Sequence, residues 1–410
     1  MSSFEQNLEK YAELVVRAGV NIQEGQTLVI NAPISAAEFV RKAAKKGYEA
    51  GAKHVHIEWN DEETTRIKYD YAPDEAFHEF PMWKARGMEE MAKNGAAFLS
   101  ITSSNPDLLK GVDPERISNF NKAAGKAMNK YRQYIQSDKI SWCVIASPSK
   151  EWAAKVFPGI PAEEQQQKLW DAIFKATRAD LQDPVAAWRE HNASLNEKVE
   201  YLNGKKYKKL HYKAPGTDLS IELPPSHIWV GGGSENEKGD AFIANMPTEE
   251  VFTTPLKKGV NGTVSSTKPL NYGGNLIENF SFRFENGQIV EVKAEKGEET
   301  LNHLVGTDEG SHYLGEVALV PDDSPISNSG ILFYNTLFDE NASNHLAIGN
   351  AYAFCIEGGK TMSQDELADN GLNESLTHVD FMIGSAEMDI DGELADGTRE
   401  PIFRNGNWAF

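Results

Sequence analysis

The sequence predicts two domains, an α/β domain with a mostly parallel sheet followed by a β-rich α+β domain. The chain has 410 residues, which is too long for one ordinary hydrophobic core. In the first half, short apolar runs alternate with segments of helical periodicity, as in proteins built on a parallel sheet. After about residue 200, short β-type runs separated by Gly and Asn take over. We therefore expect domains at residues 1–200 and 201–410.

The first half opens with an amphipathic helix, in which Phe4, Leu8 and Tyr11 recur at helical spacing. Four strands are expected, the first of them buried, at residues 27–31, 54–58, 97–102 and 142–146. Further helices are expected at residues 36–51, 121–135, 162–177 and 184–201. No glycine-rich nucleotide-binding pattern follows any of these strands, so the α/β layer is expected to lack a nucleotide site.

The second half predicts a series of short strands with few helices between them. A hairpin is indicated at residues 285–288, where Glu-Asn-Gly-Gln separates two apolar runs. One helix is expected at residues 297–305. The strands are expected at residues 210–212, 219–223, 252–254, 262–265, 280–284 and 289–294.

Composition excludes several classes of protein. A net charge of −20 and 40% hydrophobic residues describe an acidic globular protein, whereas nucleic-acid binding requires clustered Lys and Arg. No apolar segment approaches the roughly 20 residues of a membrane span, and the N-terminus does not resemble a signal peptide. The only cysteines, Cys143 and Cys355, lie in separate apolar runs, so no disulfide framework is implied. We expect a cytoplasmic protein that binds neither nucleic acid nor membranes.

The most informative segment is Thr-His-Val-Asp at residues 377–380. In an extended strand alternate side chains share a face, so His378 and Asp380 point the same way while Val379 points to the other side. Neutral imidazole and carboxylate oxygen suit zinc, cobalt or manganese. From these two residues alone, a hydrogen-bonded His–Asp pair that supports a core is an equally good interpretation.

Other acidic and imidazole side chains lie in the same half of the chain, and each taken alone is more often structural than functional. Four carboxylates and two neutral imidazoles would together carry a charge of about −4 if they converged. Like-charge repulsion would then raise carboxylate pKa values unless two divalent cations neutralised the cluster. Residue types alone do not establish that convergence. The six residues are Glu250, Glu316, Glu340, His345, His378 and Asp380.

The segments around these residues closely resemble the thermophilic-aminopeptidase family of metallopeptidases, which includes aminopeptidases T, S and II. The resemblance extends over essentially the whole chain, and its four motifs are specific in combination. At the Glu249-Glu250 pair, the family pattern matches Glu250. The motifs lie at residues 245–255, 315–321, 344–352 and 377–384, and residues 396–406 resemble the family's C-terminal ending.

The resemblance implies a co-catalytic centre of two divalent metal ions (zinc, cobalt, manganese or magnesium), carried by the β-rich domain. It implies that Glu316 bridges the two ions and that Tyr352 faces the reaction centre. The Tyr352 hydroxyl could donate a hydrogen bond to a developing oxyanion. Glu249 is a possible proton carrier if it reaches the attacking water. The implied metal ligands are Glu250, Glu316, Glu340, His345, His378 and Asp380.

The resemblance also implies a function. We expect a cytoplasmic, homodimeric aminopeptidase, a hydrolase that removes the N-terminal residue from short peptides with a free N-terminus by means of a metal-activated water. Two alternatives stay open: another two-metal amide hydrolase, and a non-catalytic chamber that binds metal or peptide. The complete ligand set and Tyr352 favour the enzyme. The sequence does not determine the native metal or the preferred N-terminal residue.

Overall fold

A computed structural model of the chain describes residues 3–103, 105–272 and 275–410. The chain forms two compact units. The first comprises Met1–His191 and Gly233–Pro247, and the second comprises Asn192–Gly232 and Thr248–Phe410. The sequence did not indicate that Gly233–Pro247 returns to the first unit, and the domain boundary expected near residue 200 stays a prediction.

The first unit contains a four-stranded parallel sheet. Its strands are β1 (Thr27–Pro33), β2 (His54–Asn60), β3 (Ala97–Thr102) and β4 (Trp142–Ala146). They run in the order β2-β1-β3-β4, and every neighbouring pair is parallel. The four expected strands and the parallel α/β class are therefore confirmed.

Helices alternate with these strands. The long helix that begins at Pro114 is capped by Asp113, whose carboxylate accepts a hydrogen bond from the Glu115 N–H (2.9 Å). Three of these helices were not expected from the sequence. Two of them, Glu62–Tyr71 and Met82–Lys93, carry large exposed apolar side chains, Ile67 and Trp83, which blur the periodicity. The third, Lys150–Val156, has only seven residues. The helices are α1 (Ser3–Leu14), α2 (Ala37–Glu49), α3 (Glu62–Tyr71), α4 (Met82–Lys93), α5 (Pro114–Gln136), α6 (Lys150–Val156), α7 (Ala162–Ala176) and α8 (Pro184–Lys205).

The second unit contains two antiparallel sheets. The larger has nine strands and includes the hairpin expected at residues 285–288. Its members are β5 (Lys209–Ala214), β6 (Thr217–Glu222), β11 (Val260–Ser265), β12 (Leu270–Tyr272), β13 (Asn275–Glu285), β14 (Gln288–Lys296), β18 (Asp389–Glu393), β19 (Arg399–Arg404) and β20 (Asn407–Trp408). The smaller consists of β7 (Val230–Gly231), β10 (Val251–Thr253), β15 (Leu314–Leu319), β16 (His345–Gly349) and β17 (His378–Met382).

The smaller sheet runs in the order β17-β16-β15-β10-β7. Both sheets contribute to one hydrophobic core, in which Phe282 of the larger sheet packs against Phe381 of the smaller (ring centroids 5.2 Å apart). The remaining elements of the chain are β8 (Gly233–Glu235) and β9 (Ala241–Ile243) in the first unit, and α9 (Glu298–Val305), α10 (Pro325–Ser329), α11 (Thr336–Asp339) and α12 (Gln364–Asp369) in the second. Among the described residues, no helix has the length and apolar character needed to cross a membrane.

Asp308 fixes the segment that leads into β17. Its carboxylate accepts hydrogen bonds from the backbone N–H groups of Ser311 (2.8 Å) and Leu376 (2.6 Å). It also accepts one from the Ser375 hydroxyl (2.8 Å). Partial burial acts to raise the pKa of this carboxyl, but the hydrogen bonds outweigh burial and hold the pKa below its ordinary value.

We expect Asp308→Asn to lower the free energy of unfolding at pH 7 by about 1–2 kcal/mol, because three hydrogen bonds lose a charged acceptor. The folded pKa lies below the unfolded value of about 3.9. The charge therefore stabilises the fold above that value, and the contribution is lost as the pH falls through the folded pKa.

Urea denaturation at pH 7 and pH 3 measures this effect. The difference between the native protein and Asp308→Asn should shrink at pH 3, whereas exposed Asp369→Asn should show no difference at either pH. An equal deficit for Asp308→Asn at both values would contradict the assignment of a charge effect.

Candidate metal centre

The five-stranded sheet has one apolar face and one polar face. Val317, Leu346 and Phe381 lie in the hydrophobic core of the second unit. Because strand residues alternate between faces, their neighbours Glu316, His345 and Asp380 lie on the opposite face. His378 and Asp380 share one face of β17, as expected. This face is part of a larger polar surface to which β15, β16 and β17 all contribute.

Small residues separate the functional side chains across this face. Ala347 pairs with Glu316 on one side and with Asp380 on the other. Ala318 lies opposite His345, and Gly349 lies opposite His378. Neighbouring strands are about 4.8 Å apart, so an alanine between two longer side chains leaves space above the sheet in which they can converge.

Glu316 lies between two imidazoles. Its Oε1 is 3.5 Å from His345 Nε2, and its Oε2 is 3.7 Å from His378 Nε2. His345 Nε2 is also 3.1 Å from Glu250 Oε2, and His378 Nε2 is 3.5 Å from Asp380 Oδ1. The described residues thus form two groups of potential metal ligands that share Glu316: Glu250, Glu316 and His345, and Glu316, His378 and Asp380.

Burial and mutual charge shift the pKa values of these groups. Burial raises the pKa of Glu316, and the nearby charges of Asp380 and Glu250 raise it further. Burial acts to lower the pKa of His378, but the contact with Asp380 more than compensates and raises it to about 9. Both shifts favour the protonated forms of these groups. This is expected of a carboxylate cluster that has no positive charge to balance it.

Backbone carbonyls orient both imidazoles. Nδ1 of His378 lies 2.7 Å from the Asn350 carbonyl oxygen, and Nδ1 of His345 lies 3.2 Å from the Ser343 carbonyl oxygen. An Nδ1–H that donates to a carbonyl leaves Nε2 as the nitrogen that faces the carboxylates. Nε2 is therefore the atom that would bind a metal after losing its proton.

Two glycines allow backbone carbonyls to approach closely near His378. A Cβ at Gly315 would lie 2.2 Å from the Asn350 oxygen. Gly349 has φ of +106°, and a Cβ there would lie 2.2 Å from the Thr377 oxygen. The glycines beside Glu316 and Asn350 are therefore required by close backbone packing.

The polar sequence at residues 338–345 does not form an exposed loop. It forms the end of α11, a 3-10 turn at Glu340–Ala342 and the start of β16, and most of it is buried. Asn341, which is fully buried, accepts a hydrogen bond from the Glu249 N–H (2.7 Å) and donates one to the Leu337 carbonyl (3.0 Å). Composition missed this residue because one of its partners, the Glu249 N–H, comes from a distant part of the chain.

The remaining predicted residues lie around the two groups. Glu340 belongs to neither group among the described residues, but burial and the charges of Asp380 and Glu250 raise its pKa well above the ordinary value. The Tyr352 ring is 4.7 Å from the His378 ring. Glu249 is buried next to Glu250.

Cys355 lies in an apolar run and is buried. Its burial, together with the charges of Glu316 and Glu250, raises the pKa of its thiol.

Comparison with known proteins identifies the relatives of this chain. The family model described as thermophilic metalloprotease (M29) matches residues 4–408. The chain belongs to the thermophilic metalloprotease family. It is 65% identical to aminopeptidase AmpS of Bacillus subtilis (strain 168) over the whole of both chains. It is 58% identical to aminopeptidase 2 of Geobacillus stearothermophilus, over 100% of this chain and 99% of that protein.

The fold is also that of a solved family member. The structure of wild-type AmpT from Thermus thermophilus superimposes with a TM-score of 0.94 at 45% identity, covering 99% of this chain and 100% of that one. The predicted family and the prediction of a peptide hydrolase are confirmed by these relatives. Membership of a metalloprotease family implies the use of divalent metal, although the number and identity of the ions stay predictions.

We expect Asn341→Leu, which keeps the size of the side chain but removes both hydrogen bonds, to lower the free energy of unfolding by about 1–3 kcal/mol. The reason is that the Glu249 N–H and the Leu337 carbonyl would be buried without partners. Urea denaturation of the metal-free protein measures the effect without a contribution from bound cations. The exposed Asn196→Leu is the matched control, and equal stability of the two variants would contradict a supporting role for Asn341.

Proposed function

We propose that this metalloprotease is an aminopeptidase that removes the N-terminal residue from peptides. Its centre would hold two divalent cations, with Glu250, Glu316, Glu340, His345, His378 and Asp380 as ligands and Glu316 as the bridge. The single observation that carries the proposal is the position of Glu316, whose two oxygens face two different imidazoles. Relatives named as aminopeptidases over their full length support the reaction class.

The side chains fit such a pair of ions. Carboxylate oxygen and neutral imidazole suit zinc, cobalt and manganese. Asp380 Oδ1 is buried and accepts no hydrogen bond from the described residues, and only the longer contact with His378 Nε2, at 3.5 Å, offsets its charge. This oxygen is therefore available as a ligand. Cys355 belongs to neither ligand group of the described residues, so the grouped donor atoms are oxygen and nitrogen. Glu340, outside the two close groups, would complete the coordination from the 3-10 turn.

When bound, the cations would act as Lewis acids that polarise the scissile carbonyl and lower the pKa of the attacking water. The residues of the chain supply the rest. Burial and the surrounding carboxylates raise the pKa of Tyr352 well above its ordinary value, so its hydroxyl keeps the proton that it would donate to the developing oxyanion. The free α-amine of a peptide would bind at this centre, either to a cation or to a carboxylate, and so select the N-terminus.

Hydrolysis of a leucyl amide and of its N-acetylated counterpart tests the function. We expect the free amine to be cleaved and the acetylated compound to be rejected, because acetylation removes both the charge and the lone pair of the amine and leaves its partner unpaired. A chelator should abolish the activity, and cobalt, zinc or manganese should restore it. Equal kcat/KM for the two compounds would refute the aminopeptidase and favour another metal-dependent amide hydrolase. Absence of turnover in metal-loaded protein would favour a non-catalytic binding chamber.

We expect Glu316→Gln to remain folded, to lose bound metal and to lower kcat by about 100-fold or more, because glutamine keeps the shape of the side chain but not the bridging charge. Elemental analysis and circular dichroism measure the metal content and the fold. The exposed Glu387→Gln should behave as the native protein. Native metal content in Glu316→Gln would refute the bridging role.

Two further features belong to this proposal. A homodimer, which the family resemblance implied, and a cytoplasmic location, which composition indicated, stay predictions. Light scattering coupled to size exclusion would test the first.

A further inference from the structure

Three aromatic rings border the proposed metal centre. The Tyr352 ring stacks on the Phe354 ring, with centroids 5.2 Å apart and planes 13° from parallel. Phe252 meets both rings edge-on, at 6.4 Å from Tyr352 and 6.1 Å from Phe354. Both phenylalanines are partly exposed, although most large apolar side chains of this unit are buried. We refer to Phe252 and Phe354 as the aromatic shelf.

Strand geometry places the shelf on the same side of the sheet as the ligands. Phe252 follows Glu250 by two residues, so the two side chains share a face. Phe252 also pairs with Ala318, which in turn pairs with His345. The small side chain of Ala318 therefore leaves a path above the sheet from His345 to the Phe252 ring.

We infer that the aromatic shelf binds the side chain of the substrate's N-terminal residue and favours large apolar residues, an inference that rests on the proposed aminopeptidase function. The free α-amine of a peptide would bind at the proposed metal centre, and the first side chain branches from the carbon that carries this amine. That side chain must lie on whatever surface borders the carboxylates. Next to Glu250 and Tyr352 that surface is aromatic. An apolar substrate side chain that packs on it is removed from water, whereas a charged side chain finds no partner there.

A series of amino-acid amides with one leaving group tests the inference, because only the N-terminal residue then varies. In the native protein, kcat/KM for leucyl and phenylalanyl substrates should exceed that for alanyl by about tenfold or more. Phe354→Ala and Phe252→Ala should each reduce this ratio by about tenfold while metal content stays native. Phe410→Ala, which removes a ring stacked on Tyr201 rather than on Tyr352, should leave the ratio unchanged.

A gain of activity separates recognition from damage to the fold. Phe354→Asp places a carboxylate on the shelf, so it should raise kcat/KM for lysyl relative to leucyl substrates by about tenfold. The ratio between leucyl-alanine and leucyl-phenylalanine should not change in any shelf variant, since these peptides differ only after the cleaved bond. Native leucyl/alanyl and lysyl/leucyl ratios in the shelf variants would overturn the inference, as would an altered ratio for the two peptides. Absence of turnover in the metal-loaded native protein would instead refute the proposed function.

Discussion

The contact of one buried carboxylate with two imidazoles is the interaction on which the rest of the site depends. Glu316 is 5% exposed, and each of its oxygens lies within 4 Å of a different histidine. A buried carboxylate is unfavourable unless neighbouring groups compensate its charge. The two imidazoles offset Glu316, but each also contacts a further carboxylate, Glu250 or Asp380. The cluster therefore keeps an excess of negative charge, which suits it to divalent cations.

The sheet can hold this cluster of charged side chains because its two faces have different roles. Val317 and Leu346 stabilise the strands by burial in the core, so the residues beside them on the other face need not contribute to packing. Ala318, Ala347 and Gly349 on that face are small and leave room for long polar side chains. The energetic cost of the polar face is thus offset by the apolar face of the same strands.

Chemistry and recognition are placed side by side on this scaffold. Tyr352 contacts His378 on one side and the aromatic shelf on the other. One ring therefore connects the residues proposed to bind metal with those proposed to bind the first side chain of the substrate. A peptide whose amine is bound at the metal centre would meet both at once, which couples selection of the N-terminus to selection of the residue that carries it.

The sequence by itself determined the features that depend on short-range periodicity. Alternating apolar and helical segments indicated the parallel sheet of the first unit, and the spacing of His378 and Asp380 placed them on one strand face. Motif resemblance identified the family and named Glu250, Glu316 and His345, but residue types alone left their convergence open. That convergence depends on the pairing of β10, β15 and β16, strands from distant parts of the chain whose register is set by burial of their apolar face. Only the tertiary structure showed that the polar segment around Asn341 is buried, because one of its partners, the Glu249 N–H, is far away in sequence. Local sequence patterns predict strands and helices. The site, however, is formed by pairing between strands that are far apart in sequence, and no local pattern predicts that pairing.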